Sequence, residues 1–256
     1  MLGHGLSLTL TAWAEKGWHA DMRDPRFAEI LDSAARAGVE IGAHSFTPDI
    51  DDRACIERLA PRYKSFRAAT WIDHQPETNC EAINNGAGIL DGDHRFSIVD
   101  LLHSGGFRYL WIIPDVNPPG GVDMLGSSRP GYRPAILYKN RHLRDGQWSP
   151  WLFRSVWRFL KRRYFLNSYE ERRLQKLIKG RGIQIAHVYL DAFNQSGRLA
   201  DRSLVEPDGR GFRIRDDVDA VFRRLGAHQK AGDLWVTSMR SLGDHLVATR
   251  ELRIEY

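Results

Sequence analysis

Polar residues able to bind a metal or move a proton recur where apolar runs end. His44-Ser45 closes Val39-Glu40-Ile41-Gly42-Ala43, and Asp73-His74 closes the run from Ser65 to Ile72. Asp115 follows the run from Phe107 to Ile113. His187 lies inside Ile183 to Tyr189, with Asp191 just beyond, and Thr237-Ser238 ends the run that starts at Leu234. If these runs are parallel strands of a barrel, their carboxyl ends share one face, and that face carries the chemistry. Imidazoles and carboxylates from separate strands can converge there on a metal that keeps an open position for water. Strand alternation over Thr70 to His74 places Trp71, Asp73 and Gln75 on one side and Ile72 and His74 on the other. His94, His103, His142, His228 and His245 fall in helices or loops and read as surface residues. A glycosidase would need two carboxylates about 5–10 Å apart, and no clear pair presents itself.

The elements that must position these groups are legible. Asp24-Pro25, then Phe27, Ile30, Leu31, Ala34 and Ala35, then Gly38 predict a capped helix with a left-handed stop. Further helices are expected from about Asp51 to Ala60, Ser97 to Leu102, Val218 to Lys230 and Leu242 to Arg250. Strands are expected at Leu6 to Thr11, Val39 to Ala43, Ser65 to Ile72, Phe107 to Ile113, Ile183 to Tyr189 and Leu234 to Thr237. Strands alternating with helices predict an α/β protein with a parallel sheet, either doubly wound or most of a barrel. No Gly-x-Gly-x-x-Gly follows an early strand and no phosphate loop is present, so the nucleotide-binding readings lose their usual support.

Composition narrows the class. The 256 residues are 42% hydrophobic and 27% charged, a globular balance long enough for a full core. No run of about 18 apolar residues occurs, so no transmembrane helix is expected. Cys55 and Cys80 make neither a disulfide framework nor a cysteine-rich zinc module. Ten Lys/Arg against two Glu between Trp151 and Gly182 give that stretch +8, leaving −3 for the rest of a chain whose net charge is +5. The basic character is therefore local, and no nucleic-acid partner is expected. Trp151, Arg154, Arg158, Lys161 and Arg162 interleave aromatic and cationic groups at helical spacing. They read as a solvated helix or as a contact with an anionic membrane or glycan through residues 151–182. Met1 to Gly5 has no basic n-region and does not read as a signal peptide. The abrupt entry into Leu6 to Thr11 is read as a missing upstream segment.

Val39-Glu40-Ile41-Gly42-Ala43-His44-Ser45 resembles the second motif of NodB-type polysaccharide deacetylases, where Gly-x-His-Ser/Thr supplies a metal-binding histidine. Thr70 to His74 with Asn79-Cys80-Glu81-Ala82 resembles the next active-site strand of divergent deacetylase-like proteins. Gly106-Phe107-Arg108-Tyr109-Leu110-Trp111 resembles the following helix-to-strand joint, and Ala186-His187-Val188-Tyr189-Leu190 stands where the family has its late histidine. The resemblance covers roughly residues 25 to 113 and 183 to 250.

It implies a single domain over residues 1–256, a distorted or incomplete seven-stranded (β/α) barrel in which 116–182 is a loop plus a basic helical insertion. It also implies a hydrolase that removes acetyl groups from a carbohydrate with a divalent metal, zinc by its His/Asp ligand set. His44 and His74 would hold the metal. Asp73 and His187 would be catalytic, His187 as the acid that protonates the leaving group. Trp71, Asn79, Trp111 and Tyr189 would contact the sugar. The chain departs from the pattern in two places. Pro48 stands where the second motif has its second histidine, and Leu6 to Thr11 carries no carboxylate where a first Asp motif belongs. A catalytically inactive carbohydrate-binding or scaffold protein on a degenerate barrel is the alternative.

Overall fold

The computed structural model describes residues 1–17, 21–47, 53–72, 98–111, 122–123, 137–139, 148–153, 162–188, 203–209 and 211–251. Its strands are β1 (Thr9–Ala12), β2 (Glu40–His44), β3 (Thr70–Ile72), β4 (Tyr109–Trp111), β5 (Val122–Asp123), β6 (Leu137–Lys139), β7 (Trp151–Phe153), β8 (Gly182–Ile183), β9 (Val205–Pro207) and β10 (Phe212–Ile214). Its helices are α1 (Pro25–Arg36), α2 (Arg53–Leu59), α3 (Val99–Gly105), α4 (Arg162–Ser168), α5 (Glu171–Lys179), α6 (Asp216–Ala231) and α7 (Met239–Glu251). The chain divides into two compact units. A sheet unit comprises Ser7–Pro114, Leu137–Arg154 and Thr237–Tyr256, and a helical unit comprises Met1–Leu6, Asp115–Ile136 and Ser155–Val236.

In the sheet unit the strand order is β1-β2-β3-β4-β7-β6. The first five run parallel and β6 is antiparallel at the edge. The expected α/β architecture with a parallel sheet is therefore present. β1 to β4 lie side by side in chain order because α1, α2 and α3, the helices that join them, pack on one face of the sheet. α1 packs Leu31 onto Ala12, Val39 and Ile41. α2, the 3-10 turn Ala60–Tyr63 and α3 pack Ile56, Leu59, Tyr63 and Leu102 onto Ala43, Trp71, Leu110 and Leu152. α1 starts as its sequence dictates. The Asp24 carboxylate accepts from the Arg26 and Phe27 amides, Pro25 occupies the first turn, and Gly38 follows at φ +86°.

The other face of the sheet carries α7 at the amino ends of the strands. Its first amides donate to this face: Met239 N–H to Thr9 Oγ1 at 2.8 Å and Arg240 N–H to Glu40 Oε2 at 2.8 Å. Glu40, a buried acid, also accepts from the Thr9 and Thr70 hydroxyls at 2.7 and 2.6 Å. A carboxylate so loaded caps the positive end of α7 from another element.

The helical unit gathers α4, α5 and α6 around Phe165, Leu174, Val218, Val221 and Phe222, with Leu6 added from the start of the chain. β9 and β10 form one antiparallel pair, β5 and β8 another.

Several expected elements differ. The strand read over Leu6 to Thr11 is Thr9–Ala12, because Leu6 is buried in the helical unit's core instead. Within the described residues 183–188 of the strand read over Ile183 to Tyr189, none joins the parallel sheet; Gly182–Ile183 pair, antiparallel, with β5. Leu234 to Thr237 forms no strand, because the Val236 amide is taken by the Gln229 side chain rather than by a ladder. Trp151 does not open a basic helix. Trp151-Leu152-Phe153 pairs with Tyr109-Leu110-Trp111 as β7, with Leu152 and Phe153 both buried. Arg154, Arg158 and Lys161 lie outside the described residues. His228 is not a surface histidine: its side chain is 13% exposed and bridges Glu171 and Asp233.

Candidate functional site

Strand register places one row of side chains across the carboxyl ends of the sheet. His44 pairs with Ile72, Ile72 with Trp111, and Trp111 with Phe153. Partners in register point to one side, so His44 and Trp111 share a face and stand two strands, about 10 Å, apart. One step below, a Cβ on Gly42 would sit 2.8 Å from the Thr70 carbonyl oxygen and 3.4 Å from the Thr11 methyl. Gly42 thus admits the crowded residues on which the His44 row stands.

His44 ends β2 half-buried. The Trp13 ring, just past β1, lies against its imidazole with centroids 4.5 Å apart. The loop that delivers Trp13 is fastened at several points. The amides of Ala14 and Glu15 both donate to the Phe46 carbonyl at 3.0 Å, and Met22 N–H donates back to the Trp13 carbonyl. Arg58 and Arg62 hold the Glu15 carboxylate at 2.9 and 2.7 Å, and Arg62 also reaches the Ala14 carbonyl. Asp21 accepts from the Gly17 and Arg23 amides and pairs with the Arg23 guanidinium.

Ser45 makes the turn after His44. It is fully buried at φ +46°, a left-handed conformation that costs an L-residue about 1–2 kcal/mol. Among the described residues its Oγ has no hydrogen-bond partner, and neither has the buried Nε1 of Trp71 on the neighbouring strand. Such orphans cost about 1–3 kcal/mol each and are rare. The turn has a structural return as well. It sends Phe46 into the core against Trp71 at 4.4 Å and Tyr63 at 5.4 Å. The Tyr63 hydroxyl donates to the Ala12 carbonyl at 2.7 Å, tying the ends of β1 and β2 together.

The two acids beside this edge are held ionised. The Arg23 guanidinium, helped by backbone amides, pulls the Asp21 carboxyl down to about 2. Arg58, then Arg62, lower Glu15. Neither is poised to take a proton from water at neutral pH.

Of the site residues expected from sequence, the structure brings His44 and Trp111 onto one face. Trp71 points to the opposite face, 1% exposed in the core, with its ring 5.3 Å from Phe107. His187 lies in the helical unit, just past the bridge residue Ala186 and outside any helix or strand, half-buried. Asp73, His74, Asn79 and Tyr189 fall outside the described residues, as do Asp115 and Asp191. Among the described residues no group of three His, Cys, Asp or Glu side chains could hold a metal ion. Sequence reasoning did not single out Trp13 or the conformation of Ser45. The signals available were an aromatic residue directly after a strand and a Ser between a strand and an apolar Phe.

A concavity of about 260 Å³ lies away from His44, at the amino end of β4 between Arg108, Trp148, Trp151 and α7. Its polar groups are spent on one another. Arg108 pairs with Asp244 at 2.8 Å, and the Tyr109 hydroxyl donates to Asp244 at 2.5 Å, its pKa raised by burial and by that carboxylate. This triad fastens α7 to the sheet.

No protein-family model matches the chain, and no curated protein or solved structure matches it.

Proposed function

We propose that the chain is a metal-dependent hydrolase that removes acetyl groups from a carbohydrate, built on a (β/α) barrel to which the five parallel strands belong. The observation that carries this reading is His44-Ser45. A half-buried imidazole ends a parallel strand, its ring is set by Trp13, and the next residue is held buried at positive φ. Strain retained at a strand's carboxyl end, beside an ionisable group, marks functional centres more often than packing ones.

His44 fits a metal ligand in kind and place, as one imidazole of a set. A divalent cation bound there supplies Lewis-acid polarisation of an acyl carbonyl and a water of lowered pKa. Trp13 fixes the imidazole plane, and Trp111, 1% exposed, packs beneath the same face. His74 is the second ligand in this reading: alternation assigns it to the side of Ile72, and Ile72 is His44's neighbour in the row. Alternation sets Asp73 on the side opposite His74, so Asp73 serves as the base for the attacking water only if the strand ends between the two; Glu15 and Asp21 cannot fill that role while bound by arginines. The reading rests on the sheet unit alone and assigns no step to His187.

The test is zinc titration by calorimetry, together with acetate release from N- and O-acetylated oligosaccharides, for the wild-type protein and His44→Ala. Zinc binding and acetate release that both fall at least about 100-fold in the variant support the reading. Absence of zinc binding, with carbohydrate binding untouched by His44→Ala, would instead establish the inactive carbohydrate-binding alternative.

A further inference from the structure

We propose that the helical unit docks on an anionic lipid bilayer through the cationic stripe Arg172, Lys176 and Lys179 of α5. These residues recur at i, i+4 and i+7. They are exposed on the side of the helix opposite Leu174, which is 1% exposed in the core. The stripe runs roughly 10 Å along the helix axis. None of the three joins an ion pair among the described residues, and neither does Arg173 or Arg181 nearby.

Folding alone does not account for the stripe. Like charges at i, i+4 destabilise a helix by a few tenths of a kcal/mol, and Arg172 sits in the first turn, where the helix dipole disfavours a cation. The one acid of α5, Glu171, offers no relief. It is engaged by His228 at 3.2 Å and approached by Arg224 at 3.8 Å. An anionic surface along the stripe would remove both penalties.

The occupant follows from what accompanies the cations. Among the described residues four large apolar side chains are exposed, and three of them are aromatic and belong to this unit: Tyr164 at 41%, Phe212 at 67% and Trp235 at 56%. Tyr164 stands on α4 with the Arg163 guanidinium 5.0 Å from its ring centre. Trp235 follows by two residues Asp233, which binds the His228 that holds the head of α5. Exposed aromatics in the same unit as a stripe of lysines and arginines match the headgroup region of a bilayer, whereas a soluble polyanion needs only the charges. Among the described residues no helix is long and apolar enough to cross a membrane, so the contact is with the surface.

The experiment is co-sedimentation of the full chain with vesicles of phosphatidylcholine alone, and of phosphatidylcholine with phosphatidylglycerol, over a series of salt concentrations. Heparin binding is measured alongside. The expected result is partition onto the phosphatidylglycerol vesicles alone, weakening with salt. It falls about 100-fold in a variant carrying Arg172→Gln, Lys176→Gln and Lys179→Gln together. These side chains are exposed and outside the core, so an unchanged circular dichroism spectrum accompanies that loss. Trp235→Ala weakens vesicle binding without changing heparin binding. The proposal is overturned if the wild-type protein ignores phosphatidylglycerol vesicles, if the triple variant partitions like the wild type, or if Trp235→Ala alters neither or both.

Discussion

The indole of Trp13 and the imidazole of His44 meet with their planes tilted by 47°, joining the loop after β1 to the end of β2. An aromatic pair of this kind contributes about 0.5–1.5 kcal/mol and restricts the ring it contacts. Trp13→Ala should lower stability by about 1 kcal/mol in urea denaturation and, if His44 is the metal ligand proposed, weaken zinc binding by roughly 10-fold or more, as loss of an orienting contact does. Trp13→Phe keeps an aromatic face and should retain most of both. Zinc affinity unchanged in Trp13→Ala would show that the contact is packing alone.

Ser45 invites a substitution of opposite sign. Glycine meets no penalty at φ +46° and leaves no hydroxyl buried without a partner. Ser45→Gly should therefore raise stability by about 1 kcal/mol, read as a higher denaturation midpoint at unchanged slope. Ser45→Val should destabilise by more than that, since a β-branched residue tolerates this conformation worst. If the strain serves the His44 centre, Ser45→Gly gains stability while acetate release falls.

The parts of this arrangement that were legible in the sequence are local. Asp24-Pro25 and Gly38 mark the ends of α1 because a cap and a left-handed stop depend on residues within one turn. His44 could be placed at a strand's end because the apolar run before it is short and closed by polar residues. What escaped depends on partners far along the chain. Glu40 reads as one more strand residue until Thr9, Thr70 and Arg240 converge on it. Trp151 reads as helical beside so many arginines until its run pairs with β4. Leu234 to Thr237 reads as a short apolar strand, and here the partner is nearer: the Gln229 side chain, seven residues before Val236, takes the Val236 amide. In each case a tertiary hydrogen bond or ladder overrode a local pattern.

Glu40 is the test of how α7 is held. Glu40→Ala strands the two threonine hydroxyls and the Arg240 amide, each costing about 1–3 kcal/mol when buried without an acceptor. Partial rearrangement makes a total loss of about 3 kcal/mol reasonable. Hydrogen exchange should show the Arg240 amide losing its protection first, while α1 and α3 keep theirs. Uniform loss across the sheet unit would mean that Glu40 stabilises the sheet rather than the start of α7.

Asp21 and His228 predict opposite pH dependences. Asp21 has its carboxyl pulled from 3.8 to about 2, so its contribution is fully present above pH 4 and is lost as pH falls towards 2. The shift corresponds to at most about 2 kcal/mol, reduced by screening because Arg23 is half exposed. Asp21→Asn should remove that acid limb and lower stability at neutral pH. His228 is raised above 6.5, first by Asp233 and then by Glu171. Its contribution is complete below pH 6.5 and is lost as pH rises through the folded value. His228→Gln should therefore flatten stability between pH 6 and 8 and leave the acid limb alone. Proton titration of each group by NMR checks both, and an Asp21 pKa near 4 or a His228 pKa at or below 6.5 would refute the corresponding assignment.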